Sequence, residues 1–90
     1  MIQKYRKELA NLLSQIKDSV LMDAFLQDLL TPGEFNEMAR RWQIIKQLAR
    51  GLPQREIAKN LGVSIATITR GSRELQDKKG GFRKVLNNAK

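Results

Sequence analysis

The run QREIAKNLGVSIATITRGSR, residues 54–73, gathers guanidinium, ammonium and hydroxyl groups on a background of regularly spaced apolar residues. Such groups donate and accept hydrogen bonds and neutralise anions, which is the chemistry of reading a nucleic-acid groove. Ile57, Ala58 and Leu61 fall on one helical stripe, Gly62 supplies a left-handed turn residue, and Val63, Ile65 and Ile68 continue the packing on a second helix. The spacing predicts a helix-turn-helix. Ser64 is a good N-cap for the second helix, whose outer face then offers Thr67, Thr69 and Arg70 to a groove. An ordinary helical hairpin would share the apolar spacing, so the charge around the motif has to separate the two readings.

That charge is unevenly placed. The chain has 17 basic and 9 acidic residues, a net +8. Residues 1–39 carry four basic side chains against six acidic ones, net −2, whereas residues 40–90 carry thirteen against three, net +10. The basic half contains the motif, where a polyanion's phosphates would have to be neutralised. The chain has no cysteine and no histidine, so a disulfide framework, a thiolate metal site and the commonest proton shuttle are all missing. Neither an enzyme nor a metal cofactor is expected. No apolar run approaches the roughly 20 residues that span a bilayer, and the N-terminus lacks a signal-type apolar core. The expectation is a cytoplasmic protein without a membrane partner.

The elements that must position these groups read as helices throughout. Leu9, Leu12, Leu13, Ile16 and Val20 recur at three-and-four spacing, and Leu21, Ala24, Phe25, Leu29 and Leu30 extend an apolar face. These segments predict two helices broken near Lys17-Asp18-Ser19, or one continuous bent helix. Thr31, Pro32 and Glu34 supply the N-cap, first-position proline and third-position carboxylate of a capping box. From there Phe35, Met38, Ala39, Trp42, Ile45, Leu48 and Ala49 line one face of a long helix that Gly51 and Pro53 end. Gln54–Leu61 and Ser64–Gln76 form the motif, residues 77–81 read as a loop, and Phe82, Val85 and Leu86 mark a short final helix over 82–88. The fold class is all-α, about six helices in one domain over 1–90. The apolar load of residues 9–49 on so short a chain points to a homodimer, with residues 1–50 as dimerisation helices and Trp42 in the dimer core.

LTPGE (residues 30–34), QREI (54–57) and above all IATITRGS (65–72) carry a resemblance. From Leu30 to Leu75 the chain resembles the tryptophan repressor family, dimeric transcription regulators that need bound L-tryptophan to hold their reading heads correctly. The arginine-glycine pair inside the recognition helix is its most specific element. A glycine there costs about 1 kcal/mol relative to alanine, which suggests that something approaches the backbone closely, and an indole ring would fit. The resemblance implies an interwoven homodimer in which Arg41, on the long helix, and Arg70 sandwich the indole from opposite faces. Guanidinium stacking of this kind is worth on the order of 0.5–2 kcal/mol. It also implies Ile44, Ile45, Thr67 and Gly71 as further lining, with Leu30 and Thr31 of the partner subunit, Thr31 assisting with the carboxylate. Ile44 and Ile45 are equally explained as plain core.

Three departures accompany the resemblance, and one is that residues 1–29 match it only as helices and are shorter than in the members that carry disordered arms. Glu74 stands where the family carries a serine near the ligand's amino group, and it reads as a partner for the ammonium, as a solvated helix charge, or as a sign of another ligand. The link Gly51-Leu52-Pro53-Gln54 is one residue shorter than is typical. For DNA, the family's approach turns Ile65, Ala66, Thr67 and Thr69 toward base edges, where small residues favour water and methyl contacts. Arg55 is placed for a guanine, and Lys59, Arg73, Lys78 and Lys79 for phosphates, with Arg70 serving both surfaces. Three readings follow: a repressor that uses L-tryptophan as corepressor on a double-stranded DNA operator of tryptophan metabolism genes; a similar regulator with another effector or none; and a basic helical interaction or RNA-binding module.

Overall fold

A computed structural model describes residues 1–88; the last two residues of the expected domain lie outside the described residues. The described residues form α1 (Ile2–Gln15), α2 (Ser19–Leu29), α3 (Pro32–Ala49), α4 (Gln54–Leu61), α5 (Ile65–Gln76) and α6 (Gly81–Asn88). No strand is present among them. The chain divides into two compact units, Met1–Asn36 and Glu37 onward.

In the first unit, Asp18 decides between the two expectations for the N-terminal segment. Its backbone is extended (φ −90°, ψ 123°) and its side chain accepts from the Val20 N–H at 3.1 Å. The residue therefore caps a new helix, and the continuous bent helix is replaced by α1 and α2. Neither contains a buried residue. Leu9, Leu12, Val20, Leu21 and Leu29 stay exposed, while Leu13, Ile16, Phe25 and Leu30 are half-buried. The periodicity thus produced the helices without closing a core within one chain.

The capping box at the start of α3 is formed reciprocally. The Thr31 N–H donates to Glu34 Oε1 at 2.8 Å, and the Glu34 N–H donates to Thr31 Oγ1 at 3.2 Å. The backbone donor, then the Thr31 hydroxyl contact, hold the Glu34 carboxyl below its ordinary 4.5. A carboxyl lowered on folding contributes stability that is present above its unfolded value and lost as pH falls through the folded one. Thr31→Ala is expected to destabilise the protein by about 0.5–2 kcal/mol at neutral pH. Its thermal unfolding should also lose slightly less stability than the parent's on acidification below pH 4.5, since the backbone donor survives the substitution and only the hydroxyl contact is lost; an unchanged acid limb would show that the hydroxyl contributes nothing there.

In the second unit α3 ends in a Schellman arrangement. Gly51 takes φ +83°, its N–H donates to the Leu48 carbonyl at 3.0 Å, and the Leu52 N–H reaches back to the Gln47 carbonyl at 3.2 Å. The short link then turns Leu52 inward against the core. Gly62, at φ +65°, makes the corresponding turn between α4 and α5, and Ser64 caps α5 by accepting from the Thr67 N–H at 3.2 Å. Ile44, Ile57 and Ile68 form the buried centre, with Leu48, Leu52, Ala58, Leu61 and Val63 packed around them.

Ile65 does not take the first of its two expected placements, inside the packing of the motif. It is 47% exposed on the first turn of α5. Ile65 is the first residue of α5, and the buried stripe of that helix, Ile68 and Leu75, starts only one turn further on. Met38, Ala39 and Ala49 of the expected α3 face are likewise exposed. The final helix begins one residue early, at Gly81, and the Arg83 guanidinium ties it to the end of α5 by donating to the Leu75 carbonyl at 3.0 Å.

Candidate ligand cleft and nucleic-acid interface

A cleft of about 380 Å³ opens within the second unit, lined by Glu37, Arg41, Ile44 and Ile45 of α3, Thr67, Arg70, Gly71 and Glu74 of α5, and Phe82 of α6. Its size lies in the roughly 300–1,000 Å³ range of small-molecule sites. Ile44 and Ile45 are 3% and 0% exposed, so both are core residues that also make the apolar floor. The two readings of these isoleucines are therefore compatible. Arg41, Arg70, Glu37 and Glu74 stay exposed around that floor. On α3 the carboxylate precedes the guanidinium by four residues, Glu37 then Arg41; on α5 the order reverses, Arg70 then Glu74. Four-residue spacing puts each pair on one helical face. The cleft therefore presents an apolar floor and both signs of charge, suited to a zwitterion with an apolar ring.

Glu37 and Phe82 were missed by sequence reasoning. The spacing of Glu37 to Arg41 was a usable signal. Nothing comparable linked Phe82, eleven residues beyond Gly71 and across a turn, to this site. Leu30 and Thr31 lie in the first unit, where the Thr31 side chain serves the capping box. Their expected role concerns a second subunit. Trp42 is half-buried and lines a different cleft of about 480 Å³ with Glu74, Asp77, Gly80, Gly81, Phe82 and Val85.

The glycine in α5 has a cause other than the one expected. A Cβ at Gly71 would lie 3.0 Å from Ile44 Cγ2, 3.5 Å from Ile45 Cδ1 and 3.6 Å from Leu48 Cδ1. The close approach is made by α3 side chains, and the packing of these two helices accounts for the residue without an approaching ring.

On the outer side of the motif, Arg55 and Lys59 of α4 and Ile65, Ala66, Thr67, Arg70 and Arg73 of α5 are exposed, as are Lys78 and Lys79 in the following turn. Thr69 is not presented in the same way. It is half-buried, and its hydroxyl lies 3.0 Å from both Gln54 Oε1 and the Ile65 carbonyl. Its one hydrogen is committed to these acceptors, leaving lone pairs only for an outside donor. The Thr67 hydroxyl is 2.9 Å from Ser64 Oγ and belongs to the α5 cap as well as to the cleft.

Among the described residues no helix is long and apolar enough to cross a membrane, and no cluster of carboxylate, histidine or cysteine side chains could hold a metal ion. The model of the Trp repressor protein family matches residues 4–90. The chain is 41% identical over 73 residues to the Trp operon repressor homolog of Vibrio parahaemolyticus, covering 80% of this chain and 71% of that protein. It is 48% identical over 69 residues to the homolog of Chlamydia trachomatis, covering 71% and 73%. To the homolog of Chlamydia caviae it is 45% identical over 78 residues, covering 86% and 77%. With a helix-turn-helix in place and a family match that runs nearly end to end, the chain belongs to the Trp repressor protein family and is a repressor, not an enzyme.

Proposed function

We propose that this repressor acts in the cytoplasm as a homodimer, takes L-tryptophan as corepressor, and grips a double-stranded DNA operator of tryptophan metabolism genes through α4 and α5. The observation that carries the reading is that one cleft is lined by Arg41 from α3 and by Arg70 and Gly71 from α5, the recognition helix. A ring lodged between the two guanidiniums would stack on both, and its carboxylate would pair with Arg70. Because α5 belongs to the reading head, a ligand that bridges it to α3 biases the head's angle. In a dimer that angle sets whether two heads reach successive major grooves about 34 Å apart. Residues 1–50 supply the dimer contacts, with the uncovered apolar residues of α1 to α3 and Trp42 closing against a second copy, and Leu30 and Thr31 of the partner subunit completing the site. Arg55 addresses a guanine, and Lys59, Arg73, Lys78 and Lys79 take phosphates. Ile65, Ala66, Thr67 and Thr69 meet base edges through methyl and water contacts.

One sedimentation experiment tests both halves. Free protein at micromolar concentration should run at about twice 10.3 kDa, and millimolar L-tryptophan should strengthen its association with a pool of labelled duplexes at least about tenfold. A 10.3 kDa species would contradict the dimer, and duplex binding indifferent to tryptophan would contradict the corepressor. Glu74 favours a second reading, a regulator of the same family with another effector or none, and tryptophan-indifferent binding is the outcome it expects.

A further inference from the structure

Two clefts of the second unit meet at one pair of side chains. Glu74 and Phe82 line both the cleft of about 380 Å³ between α3 and α5 and the cleft of about 480 Å³ beside Trp42. The order of residues along α5 fixes how the two are arranged. Thr67, Arg70 and Gly71 line the first cleft alone, Glu74 lines both, and Asp77 lines the second alone. These positions succeed one another at three-and-four spacing, so they form a single row along the helix. Toward the C-terminus of α5 the first cleft therefore ends at the level of Glu74, and Phe82 of α6 stands across it there. Of these two wall residues, Glu74 is exposed and free to change rotamer, whereas Phe82 is half-buried and carries a rigid ring.

The backbone that bears the ring is itself tied down. The Arg83 guanidinium, on the next residue, donates to the Leu75 carbonyl at 3.0 Å. In the turn before α6, Asp77 accepts from the Lys79 N–H at 3.0 Å through its side chain and from the Gly80 N–H at 3.0 Å through its carbonyl. We propose that Phe82 sets the ligand specificity of the first cleft, as an end wall that limits how far the ring of an aromatic amino acid can extend along α5. The inference rests on the tryptophan reading and adds a residue to it. Ile44 and Ile45 give the floor no polar group with which to tell one ring from another, so discrimination along it is made by shape. A ring with one more heavy atom directed at Phe82 has to displace a packed side chain, and overfilling of that kind lowers affinity about tenfold or more. Truncating Phe82 frees the volume of its own ring and joins the first cleft to the second.

Calorimetry of the full chain tests this with L-tryptophan and with L-tryptophans that carry one bromine, placed at each free position of the benzene ring in turn. The proteins are the parent, Phe82→Ala and Phe82→Leu. In the parent, at least one isomer should bind about tenfold or more weakly than L-tryptophan. In Phe82→Ala that isomer should come within about threefold of L-tryptophan, with Phe82→Leu between the two, while isomers directed elsewhere keep their ratios. Each ratio is taken against L-tryptophan on the same variant, so a general loss of affinity cancels. Phe82→Leu keeps an apolar side chain on α6 and carries the test alone where Phe82→Ala does not fold. A penalty that survives the substitutions in every isomer, or no penalised isomer in the parent, would overturn the proposal and leave the tryptophan reading standing. No heat from L-tryptophan on the parent would overturn that reading, and this inference with it.

Discussion

Arg70→Ala is expected to lower the affinity for L-tryptophan by at least about thirtyfold, the largest effect of any single change at the cleft. The guanidinium supplies both a stacking plane, on the order of 0.5–2 kcal/mol, and a partner for the carboxylate, on the order of 1.5–3 kcal/mol. Arg70 is exposed in the free chain, so solvent screening favours the low end of the sum, about 2 kcal/mol, which gives the thirtyfold figure. Arg70→Lys separates the contributions. It keeps the charge and loses the plane, and should recover part of the carboxylate pairing but none of the stacking. Arg41→Ala should cost less, because Arg41 contributes a stacking plane alone. It should also spare the tryptophan-independent binding to duplex that Arg70→Ala weakens. Calorimetry with L-tryptophan reads all three, and an Arg70→Ala protein that binds within about threefold of the parent would remove this guanidinium from the site.

Ile68→Ala should cripple the reading head by a different route. Ile68 has no exposed surface and packs with Ile44 and Ile57 at the centre of the second unit. Truncating such a residue costs about 2–5 kcal/mol, since the cavity left behind adds to the lost transfer energy. Small domains have only about 5–15 kcal/mol in hand. The melting temperature should therefore fall by at least about 8 °C, and duplex binding should fail at temperatures where the parent is intact. Ile65→Ala is the contrasting control. The side chain is half out in solvent at the start of α5, so stability should move by less than about 0.5 kcal/mol while duplex affinity drops. Equal melting temperatures for the parent and Ile68→Ala would refute the core assignment.

Much of the scaffold was readable because its causes are local. A cap needs an oxygen within three residues of the N–H it accepts from, as at Asp18, Thr31 and Ser64, and a left-handed stop needs one glycine, as at Gly51 and Gly62. Each of these could be named from adjacent letters, and so could the helices between them. Arg41 and Arg70 entered the site through resemblance to a family. Composition and periodicity alone give no reason for residues 29 positions apart to share a cleft.

The chain's own letters determined where helices start and stop, which half carries the positive charge, and which stretch turns over Gly62 as a reading head. Tertiary structure alone decided that Phe82 joins the cleft, which of its two expected placements Ile65 takes, that the Thr69 hydrogen is held by Gln54 and the Ile65 carbonyl, and that Gly71 is small because Ile44 leans on it. The physical reason is range. Caps and stops are settled by hydrogen bonds within a turn of the backbone, whereas a cleft and the freedom of a hydroxyl depend on which helix packs against which, and that packing is set by the whole arrangement of side chains.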